Sequence, residues 1–139
     1  MKPLLKLLVD DPAELTVVAA ALQDSLTQIG EVRYERRAQR VTIVFNRYRW
    51  ESDRPERVRS GLQIGSVRSV QGRRLRRRAK DGVIDLLDLS FVVGEAPGGE
   101  LILRFAGGGD LCIVVECLDL ILADIGEPWP SPRKPNHKA

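Results

Sequence analysis

Leu101-Ile102-Leu103-Arg104-Phe105-Ala106-Gly107-Gly108-Gly109-Asp110-Leu111-Cys112-Ile113-Val114-Val115-Glu116 reads as two strands joined by a glycine turn. Apolar residues alternate on the first arm, the second arm is β-branched and apolar, and the glycines supply the backbone freedom that a tight reversal needs. Two adjacent strands with so short a link must pair antiparallel, because a parallel pair needs a crossover of a dozen residues or more. This hairpin commits the chain to an antiparallel sheet.

Working back toward the N-terminus, residues 94–99 (Gly-Glu-Ala-Pro-Gly-Gly) form a turn, and 83–93 read as a strand with Leu87, Leu89, Phe91 and Val93 on one face. Residues 62–70 read as one strand with a parity slip near Gly65. The arginine-rich stretch between these two strands is expected to be a long hairpin loop, or frayed strand ends, closed by Asp81-Gly82. Residues 51–60 are charged and contain Pro55, so they read as a loop. Val41-Thr42-Ile43-Val44-Phe45 is a strand that either ends near Asn46 or bulges there, because Tyr48 and Trp50 fall on the opposite parity. Residues 29–34 form another strand, joined to it by Arg36-Arg37-Ala38-Gln39.

The first residues, 4–9, read as a short strand covered on both faces. Asp11-Pro12-Ala13-Glu14 is then a helix start, with Asp11 as cap, Pro12 at the first helical position and Glu14 closing a capping box. Leu15, Val18, Leu22 and Leu26 continue it as a helix over 12–25. Downstream of the hairpin, Leu118, Ile121, Leu122 and Ile125 have helical spacing, stopped by Gly126 and Pro128. The expected architecture is α+β: an antiparallel sheet or half-barrel of about six to seven strands, with an N-terminal helix and a short C-terminal helix. A pleckstrin-homology-like half-barrel is one form of that arrangement. Residues 1–127 make a single domain, followed by a Pro-rich tail over 128–139.

Charge is distributed unevenly. Residues 31–80 hold 16 Lys or Arg against five Asp or Glu, a net of +11, whereas the rest holds six against 14, a net of −8. The sum is the overall +3. Such asymmetry points to an anionic partner. Arg73, Arg74, Arg76, Arg77 and Arg78 are the densest group, and Arg33, Arg36, Arg37 and Arg40 form a second. Tyr34, Tyr48 and Trp50 offer stacking surfaces of the kind single-strand binders use. The same arginines are also what base composition and a solvated strand face would produce.

Several chemistries are disfavoured. The one histidine, His137, lies in the tail, so a histidine dyad or triad in the body is excluded. Cys112 and Cys117 lack the companions of a zinc site and read as small apolar residues, although a helix start at Cys117 would lower its pKa. Gly107-Gly108-Gly109 lacks the Lys and Ser/Thr of a phosphate loop. No cofactor is implied, and no apolar run reaches the ~20 residues that span a bilayer, so a cytoplasmic location is expected.

Leu5-Lys6-Leu7, Phe45-Asn46-Arg47-Tyr48-Arg49-Trp50-Glu51, Arg59-Ser60-Gly61-Leu62, the segment 94–100, Phe105-Ala106-Gly107-Gly108-Gly109, Glu116-Cys117-Leu118 and Gly126-Glu127-Pro128-Trp129 together carry a likeness. In them the chain resembles an uncharacterised alphaproteobacterial family of short single-domain proteins, a domain of unknown function. The resemblance implies a bacterial cytoplasmic protein and transfers no catalytic residue or ligand.

The expected function is a non-enzymatic interaction module whose Arg-rich face binds an acidic protein partner or a second copy of the chain. The alternatives are nucleic-acid binding through the arginine loop and an enzyme with an unrecognised site. The candidate contacts are Arg73, Arg74, Arg76, Arg77 and Arg78, supported by Arg36, Arg37 and Trp50.

Overall fold

The computed structural model describes residues 4–75 and 81–132. In chain order the elements are β1 (Lys6–Val9), a 3-10 turn (Pro12–Glu14), α1 (Leu15–Leu22), β2 (Leu26–Gln28), a second 3-10 turn (Ile29–Glu31), β3 (Val32–Glu35), β4 (Arg40–Tyr48) and β5 (Glu56–Ile64). They continue as β6 (Val67–Arg73), β7 (Val83–Val93), β8 (Gly99–Phe105), β9 (Asp110–Val115), β10 (Leu120–Asp124) and β11 (Trp129–Pro130). The strands hydrogen-bond in the order β1-β10-β5-β4-β2-β7-β8-β9-β6, with β3 also on β4 and β11 also on β5. Each of these pairings is antiparallel.

The glycine turn forms the expected hairpin. Gly99 to Phe105 pairs with Asp110 to Val115, and Gly107 and Gly108 take φ of 93° and 94°, backbone that side chains disfavour. Two nine-residue strands, β4 and β5, make the other half's spine, paired without a register shift from Val41↔Ile64 to Tyr48↔Arg57. Each is flanked on its outer side by two short strands end to end. β3 then β2 run along β4, and β10 then β11 run along β5.

The inward positions of β4, β5, β10 and β8 hold Ile43, Phe45, Leu62, Ile64, Leu122, Leu101 and Leu103, all fully buried. α1 presses Leu15, Val18 and Leu22 into the same core and packs on β7 and β4. Each such side chain contributes about 1.5–3 kcal/mol through removal from water. Asp11 caps the helix start as its sequence predicts, its carboxylate accepting from Ala13 N at 2.9 Å. Glu14 makes no reciprocal cap bond. The helix ends at Leu22, before the expected Ser25. Asp24 turns into the left-handed region (φ 61°), and its N–H donates to Leu86 O at 2.8 Å instead of to a further helical turn.

Several expectations are corrected. Among the described residues the sheet has 11 strands where six to seven were expected, and the short helix expected over 118–125, which would supply the helical cap of a pleckstrin-homology-like half-barrel, is not formed. Residues 118–125 satisfy two periods at once. The helical reading used Ile121 and Ile125, but Leu118, Leu120, Leu122 and Asp124 are buried at a period of two. The open backbone edges of β1 and β5 take this segment as a strand between them. Cys117 therefore caps no helix.

Residues 51–60 are not wholly a loop, since β5 begins at Glu56. The strand expected over 62–70 is two strands belonging to different halves of the sheet. They are separated at Gly65, where a Cβ would lie 2.5 Å from Asp119 Oδ2. The arginine-rich stretch does not close a hairpin, because β6 pairs with β9 while β7 pairs with β2 and β8. A bulge between Leu86 and Asp88 shifts β7, so Leu87 faces solvent while Leu86 and Leu89 face the core, and Val93 is exposed where the strand ends. β1 is covered on one face only, with Leu8 63% exposed.

Candidate functional site

The arginines fall into three structural classes. The first is buried. β4 runs straight through Asn46 with neither end nor bulge, and the inward position after Phe45 is Arg47, 1% exposed. Its Nε and Nη2 donate to Asp124 Oδ1 and Oδ2 at 3.1 and 3.0 Å, a bidentate pair. Nη1 and Nη2 donate to Glu51 Oε1 and Oε2 at 3.0 and 2.8 Å, and Nη1 also reaches Tyr48 O at 3.3 Å. All five N–H groups of the guanidinium thus have acceptors. Asp124 further accepts from Ser60 Oγ at 2.6 Å and from Leu5 N at 2.8 Å.

Burial by itself would raise the Asp124 pKa, but the bonds from Arg47, Ser60 and Leu5 hold it below its ordinary value. Burial likewise opposes the Arg47 charge and is outweighed by Glu51 and Asp124, so its pKa stands above the ordinary value. Beside this network Arg49 Nη1 donates to Glu56 Oε1, which also accepts from Ser52 Oγ at 2.8 Å. Sequence reasoning missed this set. A signal was present, since Arg47, Ser60 and Asp124 each sit on the inward parity of an otherwise apolar strand.

The second class is paired across the outer face of the β7-β8-β9-β6 half. Arg73 lies opposite Asp110 and its Nε is 3.7 Å from Asp110 Oδ1, while Arg104 Nη1 lies 3.1 Å from Asp88 Oδ2. The cross-strand order Arg73, Asp110, Arg104, Asp88 alternates in sign. Arg73 Nη2 also lies 3.6 Å from Glu100 Oε1 and donates to Cys112 Sγ at 2.9 Å. Burial, then Glu100, push the Cys112 thiol above its ordinary pKa despite Arg73, which makes it a poor nucleophile at neutral pH. Arg57 sits between the classes. It is half-buried, donates to Asp24 O and Asn46 O at 3.2 and 3.0 Å, and lies over the Tyr48 ring. Its burial lowers its pKa.

The third class is free of carboxylates among the described residues. Arg36 and Arg37 project from the β3–β4 turn, which closes with Gln39 N donating to Arg36 O at 3.1 Å. Arg36 lies 5.7 Å from the Tyr34 ring centroid, and the Tyr34 hydroxyl donates to Arg68 O at 3.1 Å. Arg33 and Arg68 add to this end of the molecule, where Glu35 pairs with Arg40 and Glu116 lies 3.7 Å from Arg68. Arg33, Arg36, Arg37, Arg40 and Arg68 against Glu35 and Glu116 leave a net +3.

Arg36, Arg37, Arg73 and Trp50 do not share one surface. Val67 N donates to Gln39 O, so the β3–β4 turn meets the start of β6. Arg73 ends that strand, about 20 Å away at the usual rise per residue. Trp50 lies beyond the far end of β4, about 30 Å from the turn. Its indole N–H donates to Gln23 O at 3.1 Å and its ring packs edge-on against Tyr48. Arg74 follows Arg73 in the left-handed region, at φ 57°. Arg76, Arg77 and Arg78 lie outside the described residues. Among the described residues there is no group of three or more His, Cys, Asp or Glu placed to hold a metal ion, and no helix long and apolar enough to cross a membrane.

Residues 5–137 match a family described as protein of unknown function, DUF2948. The chain belongs to DUF2948. The match takes in every strand and the helix of the described structure, so the Arg47 network and the basic turn both lie within the DUF2948 domain. Neither a curated protein nor a solved structure matches the chain.

Proposed function

We propose that this DUF2948 chain is a non-enzymatic interaction module that binds an acidic protein segment at the β3–β4 turn. The observation that carries the reading is the contrast between Arg36 and Arg37, exposed and without carboxylates among the described residues, and the arginines that internal acids already neutralise. A guanidinium without an internal carboxylate keeps its attraction for an incoming one and offers it a planar two-donor fork.

An acidic protein is favoured over nucleic acid by the aromatic residues. Single-strand binders interleave stacking rings with cations. Here the Tyr34 ring is already covered by Arg36, and Trp50 is engaged with Gln23 and Tyr48 at the far end of β4. A bacterial, cytoplasmic setting belongs to the same reading.

The test is calorimetric titration of the full chain with a poly-glutamate peptide, single-stranded DNA and RNA at several salt concentrations. The peptide is expected to bind, weaken with salt and lose binding in R36E/R37E, while R73E leaves it unchanged. Nucleic acid bound more tightly than the ~10⁻⁴–10⁻⁶ M non-specific range would replace this reading with the nucleic-acid one. Binding indifferent to the turn would end it. Sedimentation of the free chain as a dimer that R36E/R37E dissociates would make the acidic partner a second copy.

A further inference from the structure

Inward positions of the β6–β9 pair are filled by Val70, Leu111 and Ile113, except at one place. Gly72 faces Leu111 across the pair and brings no side chain. Beside it is a cavity of about 250 Å³ whose walls include Val32, Val70, Ile84, Phe105 and Leu111, all apolar. Ile29, Leu75 and Ile84 are shared with a second cavity of about 310 Å³, which is walled by Arg74, Ala106, Gly107 and Gly109.

Arg74 gives the second cavity its chemistry. Its φ of 57° is rare for a bulky residue and breaks the strand alternation. The turn sends the side chain toward the glycine corner, with Nη1 3.9 Å from where a Cβ on Gly108 would lie. Arg73, one residue earlier, is neutralised by Asp110 and Glu100, whereas Arg74 has no carboxylate within ion-pairing distance among the described residues. An apolar pocket thus lies beside a wall that carries, among the described residues, a cation without a carboxylate partner.

We propose that these two cavities form a binding site for a single-chain anionic amphiphile of medium length, a fatty acid carboxylate. The chain lies in the space left by Gly72 and the carboxylate meets the Arg74 guanidinium. The apolar lining selects the chain, and a charge-assisted hydrogen bond selects the anion over the alcohol. This site is separate from the β3–β4 turn and does not depend on the reading given for it.

The experiment is isothermal titration of the full chain with octanoate, decanoate and decanol below their aggregation concentrations. Decanoate is expected to bind saturably at one site, more tightly than octanoate and about tenfold more tightly than decanol, as loss of a charged hydrogen bond implies. Gly72→Val fills the chamber and should abolish uptake of both decanoate and decanol, with folding checked by an unchanged circular dichroism spectrum. Arg74→Gln, a surface change that leaves the chamber intact, should bring decanoate down to the decanol level while decanol is unaffected. No saturable binding to the wild-type chain, decanoate and decanol bound alike, or binding that survives Arg74→Gln undiminished would each overturn the proposal.

Discussion

Arg37 and Arg47 stand at opposite ends of β4, ten residues apart, and sequence composition treats them alike. One is in solvent at a turn. The other is among the most deeply buried large side chains of the protein, with every donor engaged. A count of basic residues therefore measures two unrelated things, the charge offered to partners and the charge consumed in holding the sheet together. What separates the two is strand parity together with an acid on a neighbouring strand.

The comparison breaks most sharply at the buried end. Asp124→Ala strands Arg47 without its bidentate partner and is expected to cost about 3–5 kcal/mol in urea unfolding, whereas R47M/D124L, which removes both charges, should recover most of that loss. A single variant as stable as wild type would mean that Glu51 and water suffice for Arg47. Next comes Arg57→Leu, which removes two hydrogen bonds to buried carbonyl groups and the contact with Tyr48. About 1–2 kcal/mol is expected in the same measurement.

The pH dependence sharpens the contrast further. The folded-state pKa of Asp124 lies below its ordinary value of 3.8, so in acid the unfolded chain binds the proton more readily than the folded one. The stabilisation is complete above pH 3.8 and is lost as pH falls through the folded value. Glu51, depressed mainly by its hydrogen bond from Arg47, moves in the same direction below its ordinary 4.5. Urea midpoints should fall below about pH 4.5, and less steeply in R47M/D124L than in wild type. The smallest effect is expected at the open end, where R36E/R37E should leave the midpoint within error at every pH. A clear shift there would show that the turn also holds the fold together.

The legible parts of this chain were those whose local chemistry decides alone. Gly107 and Gly108 require a turn, Asp11 before Pro12 caps a helix, and Val41, Ile43 and Phe45 cannot face water. The unread parts depend on partners far along the chain. Glu56 and Arg49 look like solvated loop residues until they are placed against each other in the interior. Residues 118–125 carry enough apolar side chains for either period, and only the waiting edges of β1 and β5 settle the matter. Arg36 and Arg37 were grouped with Arg73 because both runs are dense, yet β6 separates the β3–β4 turn from Arg73 by a strand length. Trp50 was grouped with the cations as a stacking surface, and its indole turns instead to Gln23, just past the end of α1.

The Asp124 network also constrains the order in which the molecule can be made. Asp124 is bound to residues 77, 64 and 119 positions away, namely Arg47, Ser60 and Leu5. During synthesis those three groups leave the ribosome long before their acceptor does. Until it arrives, the emerging polypeptide carries a cation on an inward position of β4 that cannot yet be buried, and β1 has no neighbour to pair with. Late, non-local closure of this kind slows folding. It also gives the cell a check, since a nascent chain cut short before residue 124 would keep its interior charge exposed and remain open to proteolysis.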